Sequence, residues 1–236
     1  MPFSRTEKLV GSDKFLKIKQ ACVLIIGLGG VGGYALEAIV RSGVSKVIIV
    51  DHDVVSISNL NRQILATYDT IGCPKVEVAK KRIKSINPDC EVITYQSFYN
   101  MDTKNEILNH QIDYCIDCFD TVTYKIDLVY ECYKRNIKLI TCCGTANKFD
   151  PSKLEIMRLE KTSVDPLAKV LRNKLKKHPK YHKMMCVCST EYPKKHTKED
   201  IKDQIRKEVI PPLSNSFVPA TAGLLLASYV INDLIK

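Results

Sequence analysis

Five glycines crowd the segment Gly27-Leu28-Gly29-Gly30-Val31-Gly32-Gly33, which joins the apolar run Cys22-Val23-Leu24-Ile25-Ile26 to a stretch with helical spacing. Glycines in that setting let the backbone turn tightly and bring N–H groups and the positive end of a helix against phosphates. Gly27, Gly29, Gly30 and Gly32 are therefore candidate nucleotide-binding positions. Asp51 closes a second apolar run 19 residues past Gly32, where a carboxylate can accept ribose hydroxyls. These residues favour a nucleotide without choosing it, and a nicotinamide-dependent oxidoreductase is the default reading.

The choice comes further along, at Ser58-Asn59-Leu60-Asn61-Arg62-Gln63 and Ile71-Gly72-Cys73-Pro74-Lys75. Hydride transfer has no evident use for Arg62 and Lys75 beside nucleotide phosphates. Cleavage of ATP between its α- and β-phosphates does, because cations neutralise the charge that develops on the transferred nucleotidyl group and on pyrophosphate. Asp120, at the end of a predicted strand, can hold a Mg²⁺ bridging phosphate oxygens. Both cations are expected at strand tips and outside the core.

Ten cysteines make up about 4% of the chain, well below the ~8–10% of disulfide scaffolds. Cys115 and Cys118 form one C-x-x-C pair, but within a predicted strand, where alternate residues face opposite sides. Cys186-Val187-Cys188 has the wrong spacing for a second pair, so no structural zinc is expected. Met185 and Val187 suggest that Cys186 and Cys188 are buried and poorly suited to covalent catalysis.

The net charge is +10, yet residues 151–210 carry 16 Lys/Arg against 8 Asp/Glu, leaving the other residues nearly balanced. A localised positive field points to a polyanionic partner. A composition 45% hydrophobic and 26% charged excludes a disordered chain, a collagen-like repeat and a coiled coil. The N-terminus has no apolar core of a signal peptide, and the longest apolar stretch, the 15 residues 217–231, falls short of the ~20 that cross a bilayer. A cytoplasmic chain with no membrane partner is expected.

The elements that must position these groups follow from periodicity. A helical arm is expected before Lys19. Buried strands are expected at 22–26, 46–50, 91–95, 114–118 and 137–142, with helices at 31–42, 74–86 and 122–133 between them. Strands alternating with helices give a Rossmann-like, doubly wound, mostly parallel sheet. Beyond Gly144, an antiparallel strand is expected at 153–160. Asp165-Pro166 then starts a helix with Leu167, Val170, Leu171 and Leu175 on one side, followed by a polar loop at 192–197 and a helix at 217–235, apolar nearly all round and hence buried.

The G-x-G-G-x-G loop, Asp51, the SNLNRQ and G-x-P-K motifs and Cys118-Phe119-Asp120 resemble the adenylate-forming superfamily of ubiquitin-activating enzymes, the ThiF/MoeB/HesA group, across the nucleotide half. That resemblance implies that Gly30 and Asp51 contact adenosine, that Asn59, Arg62 and Lys75 contact phosphates, and that Asp120 binds the metal. It also implies a homodimer in which Arg5, in Phe3-Ser4-Arg5-Thr6, reaches the neighbouring subunit's site. Asp120 is followed by Thr121, where sulfur-carrier enzymes of the group usually have asparagine.

Residues 161–172, Cys188-Ser189-Thr190-Glu191 and 215–223 resemble the tRNA threonylcarbamoyladenosine dehydratase branch, so that the likeness runs end to end. It implies a single adenylate-forming domain, 1–236: an arm at 1–20, a nucleotide-binding half at 21–150, and a basic substrate-binding and dimerisation half at 151–236. The implied reaction is an attack of the threonyl carboxylate on the ATP α-phosphate, followed by expulsion of AMP by the neighbouring carbamoyl oxygen. Lys169, Arg172, Lys174, Lys176, Lys177, Lys180 and Lys183 are the candidate tRNA contacts. Adenylation of the Gly-Gly terminus of a ubiquitin-like sulfur carrier is the alternative, a cysteine-desulfurase or sulfur-acceptor system is a further implied partner, and a non-catalytic RNA-binding module stands as an outside reading.

Overall fold

The computed structural model describes residues 2–195 and 213–236. The last part of the basic segment 151–210, residues 196–210, with the last two residues of the expected polar loop, lies outside the described residues. One sheet runs through both halves, built from β1 (Cys22–Ile26), β2 (Lys46–Val50), β3 (Glu91–Tyr95), β4 (Tyr114–Asp117), β5 (Lys138–Cys142), β6 (Leu154–Arg158) and β7 (Met185–Ser189). Its order is β3-β2-β1-β4-β5-β7-β6. All neighbours pair in parallel except β6 with β7.

The central strands are apolar throughout because both faces are covered. On β1, Val23 and Ile25 face one core, while Cys22, Leu24 and Ile26 face the other. The first core is roofed by α2 (Ser12–Gln20), α3 (Gly32–Arg41), α4 (Lys75–Ile86) and α9 (Phe217–Leu234). The opposite face carries α5 (Lys104–Ile107), α6 (Val122–Lys134) and α7 (Pro166–Leu175). The remaining helices are α1 (Ser4–Val10) and α8 (Pro179–His182).

Three expectations are corrected. The strand β7 falls where cysteine spacing had drawn attention and no strand was expected; its run Met185-Cys186-Val187-Cys188-Ser189 is short but almost wholly buried. The buried stripe of α7 passes through Ala168, Leu171 and Leu175, which leaves Val170 40% exposed. The closing helix α9 is not buried all round. It packs on α3 and the sheet and buries Val218, Ala222, Leu226 and Val230, while Phe217 and Leu224 stay open to solvent. By length and composition α9 is also apolar enough to cross a membrane, but a helix with one face in the core of the sheet matches the same description.

Candidate active site

Strand order reverses between the parallel neighbours β1 and β4, so the loops after these strands diverge and leave a crevice at their carboxyl ends. A cavity of about 450 Å³ lies there. Gly27 leaves β1 at φ +90°, and a β-carbon on it would stand 3.0 Å from the Cys118 carbonyl carbon. Gly32 is more tightly constrained, since a β-carbon would lie 1.7 Å from the Gly27 oxygen. Only glycine fits these two positions. The turn brings Val31, the residue before α3, to the cavity wall. No side chain among the described residues caps that helix; the Gly33 N–H donates to the Gly29 carbonyl at 3.0 Å, and the positive helix end remains available to an anion.

Gly27, Gly29, Gly30, Asp51, Arg62, Lys75 and Asp120 all line this cavity. Asp51 is buried and tied to the glycine loop, its Oδ2 accepting from Leu28 N at 2.6 Å and its Oδ1 from Asp53 N at 2.8 Å. A carboxylate has roughly four acceptor positions, so both bonds leave capacity for a ribose. Arg62 donates from Nη1 to the Ser58 carbonyl at 2.7 Å and to Asn61 Oδ1 at 2.9 Å. Lys75, expected at an exposed tip, is instead buried at the first turn of α4, with Nζ 2.7 Å from Asp53 Oδ2. Burial follows because Pro74 and the Val54–Pro74 bridge draw this helix start under the β2 loop. Asp120 is exposed and has no ion-pair partner among the described residues.

Three expected residues are not in the cavity. Gly32 acts by letting α3 approach β1. Asn59 is buried in a 3-10 turn, where its Oδ1 accepts from Ser56 N at 3.1 Å. Its carbonyl accepts from the N–H groups of Arg62 and Gln63 at 3.1 and 2.9 Å, so Asn59 positions the Arg62 segment. Arg5 is exposed on α1 and lies outside its own chain's cavity. Sequence reasoning, in turn, overlooked His52, stacked on Phe98 at 3.4 Å, and the lining residues Tyr99, Gly144, Thr145 and Leu167. Gln63 was visible within its motif but was given no role.

Two buried ion pairs brace the strand tips. Under the Cys118-Phe119-Asp120 turn, Lys125 Nζ lies 2.7 Å from Asp117 Oδ1, and Thr141 donates to Asp117 Oδ2 at 2.6 Å. Burial raises the Asp117 carboxyl above its ordinary value, against the opposing pull of the Lys125 ammonium. Thr141→Val removes a hydrogen bond to a buried charge and should cost about 1.5–3 kcal/mol. The check is a denaturant midpoint that falls with an unchanged m-value; an unmoved midpoint would contradict the bracing role. Beyond β5, Lys148 Nζ lies 2.6 Å from Asp165 Oδ2 and also donates to the Gly144 carbonyl at 2.5 Å.

Cys143, Asp165 and Cys188 bring candidate metal-ligand atoms within 4.8 Å of one another. Asp165 is already engaged by Lys148 and by the N–H groups of Ala168 and Gly144, which makes the cluster an ion-pair network. A hydrogen bond with Cys143, together with burial, pushes the Cys188 thiol well above its ordinary value. It is therefore a poor nucleophile at neutral pH. Cys115 and Cys118 pack toward opposite faces of the sheet, so that pair does not converge on one ion.

The basic residues lie on α7 (Lys169, Arg172 and Lys174), on α8 (Lys180) and just beyond these helices (Lys176, Lys177 and Lys183). From Pro166 to Met185 there is no acidic residue. Lys169, Lys174, Lys176, Lys177, Lys180 and Lys183 are exposed and Arg172 is half-buried. Among the described residues none of the seven has an ion-pair partner, whereas Arg41, Lys46, Arg82, Lys104, Arg135 and Lys138 all do.

The ThiF family model matches residues 3–231. The tRNA threonylcarbamoyladenosine dehydratase of Bacillus subtilis is 43% identical over 241 residues, covering 99% of this chain and 94% of the relative. The Haemophilus influenzae protein of that description is 31% identical over 251 residues, covering 99% and 93%. Among solved structures, the Escherichia coli tRNA N6-threonylcarbamoyladenosine dehydratase in complex with ATP superposes with a TM-score of 0.87 at 31% identity, over 99% of this chain and 93% of that one.

Proposed function

The chain belongs to the ThiF family, and on that premise we propose that its cavity carries out the ATP-dependent dehydration of threonylcarbamoyladenosine in tRNA through an acyl-adenylate. The observation that carries this reading is the convergence of an uncapped helix start, two cations and a free carboxylate in one cavity. Its support from kinship is end to end, since named dehydratases match over nearly the full length of both chains.

Chemistry sets each role. A carboxylate is a poor electrophile because its leaving group would be oxide, so the threonyl carboxylate first attacks the ATP α-phosphate and releases pyrophosphate. The neighbouring carbamoyl group then attacks the activated carbonyl within the same molecule and expels AMP. Proximity makes this second step easy without a protein nucleophile, in keeping with a Cys188 thiol whose pKa is raised by its bond with Cys143 and by burial. Gly27, Gly29, Gly30 and the start of α3 receive the phosphates, and Asp51 takes the ribose hydroxyls. Arg62 and Lys75 neutralise the charge developing on the phosphates. Asp120 offers one unpaired, exposed oxygen donor group, which suits Mg²⁺, an ion that keeps several waters and takes one or two carboxylates. Bound there, Mg²⁺ would polarise the phosphates.

The tRNA lies along α7 and α8. Leu167 is in the cavity lining, and α7 leads away from it for about 15 Å at ~1.5 Å per residue. The lysines at and beyond its end thus meet phosphates several nucleotides from the reacting base. Replacing Lys174, Lys176 and Lys177 together by alanine should weaken tRNA binding and flatten its salt dependence, by up to ~1 unit of log K per log salt for each phosphate no longer neutralised. ATP affinity should hold. An unaltered salt slope would reduce this face to solvated surface.

The protein works as a homodimer in which Arg5 serves the partner's cavity and the solvent-facing side of α9 is covered. One assay tests the function: purified protein, ATP and either tRNA carrying threonylcarbamoyladenosine or a carrier protein ending in Gly-Gly. Loss of water from the tRNA nucleoside is the expected result. An acyl-adenylate on the carrier alone would replace this reading with the sulfur-carrier one.

A further inference from the structure

Among the described residues, two buried side-chain polar atoms have no hydrogen-bond partner, Gln63 Oε1 and Ser214 Oγ. Both residues line the adenylation cavity. An unpaired buried polar atom is destabilising, and a fold keeps one where something else will pair with it.

The two approach from different halves of the chain. Gln63 follows Arg62, and a β-carbon built on Gly29 would lie 3.9 Å from its Nε2. Ser214 precedes α9; its carbonyl accepts from Asn61 Nδ2 at 2.9 Å. Pro219, in the first turn of α9, closes over Gly30, where a β-carbon would stand 3.2 Å from it. The pair therefore borders the glycine loop, where an α-phosphate and its attacker must meet.

Their chemistry distinguishes the two reactants. The ionised phosphates of ATP only accept hydrogen bonds, so they leave Gln63 Oε1 unpaired. A carboxylate on a carbon that also bears an acylated N–H supplies what is missing: oxygens that accept from Gln63 Nε2 and Ser214 Oγ, and a donor for Gln63 Oε1. Neither side chain is charged. Neutral hydrogen bonds orient the nucleophile without the ground-state stabilisation that a cation would give it.

We propose that Gln63 and Ser214 hold the carboxylate of an N-acylated amino acid, here the carbamoylated threonine, in line with the ATP α-phosphate. This assignment rests on the adenylation reading above. It makes both residues contacts of the acyl substrate and not of the nucleotide.

The test uses the full chain with Ser214→Ala and Gln63→Met. Each substitution removes an orphan polar atom together with its desolvation cost, so the ligand-free variants should melt at or above the wild-type temperature. ATP affinity by calorimetry should stay within about threefold, and pyrophosphate release with modified tRNA should fall at least about tenfold, mainly in kcat. A melting temperature several degrees lower in both variants would show a structural role. A tenfold loss of ATP affinity would move the residues to the nucleotide, and turnover within about threefold of wild type would remove them from the reaction. Wild-type protein that released no pyrophosphate with this tRNA would instead overturn the adenylation reading.

Discussion

Arg62→Ala and Lys75→Ala should each lower acyl-adenylate formation by about a hundredfold to a thousandfold, the loss typical of removing one preorganised group from a developing negative charge. The two variants should differ in everything else. Arg62 is partly exposed and, among the described residues, hydrogen-bonded only to the Ser58 carbonyl and Asn61, so its loss should leave the melting temperature unchanged. Lys75 is buried against Asp53, whose own side chain is 48% exposed. Rehydration of Asp53 limits the damage, and Lys75→Met, which keeps the volume, should fold where alanine leaves a void. Pyrophosphate release under saturating ATP measures the effect. A rate within about threefold of wild type, less than ~1 kcal/mol of barrier, would remove the residue from the phosphate site.

Mixing Arg5→Ala protein with Asp120→Ala protein should restore activity that neither has alone. Arg5 lies outside its own chain's cavity while Asp120 lines it, so a trans role assigns them to different subunits' contributions to one site. A hybrid dimer then contains one site with both residues intact and one with neither. With random exchange, half the dimers are hybrids and half of their sites work, so recovery should approach about a quarter of wild-type activity. Exchange must be shown independently, for example by mass spectrometry of tagged subunits. Hybrids that form and stay inactive would place Arg5 outside the reaction.

The nucleotide half was legible because its signals are local. A strand buried on both faces reads as an unbroken apolar run, and the glycines at 27 and 32 are dictated by close approaches around the end of β1. Lys75 misled because exposure is a tertiary property: nothing in Gly-Cys-Pro-Lys states that β2's loop will fold over the helix start. Asn59 stands in the right motif, yet its part is to shape the turn that presents Arg62. The second half was less legible. β7 is five residues long and rich in cysteine, a composition that suggests metal chemistry before a strand. Ser214 had no signal at all, since its importance lies in a hydroxyl left unpaired by everything around it. The open side of α9 has a similar origin, because apolar composition all round a helix does not say which chain will cover it.

The acyl-adenylate itself admits a direct test by isotope. If the threonyl carboxylate attacks the α-phosphate and AMP leaves from the activated carbonyl, one carboxylate oxygen must depart in AMP. Modified tRNA carrying ¹⁸O in that carboxylate should yield AMP heavier by one ¹⁸O, with unlabelled pyrophosphate and a nucleoside that has lost the elements of water. AMP that remained unlabelled while the nucleoside was dehydrated would contradict an acyl-adenylate and the account built on it.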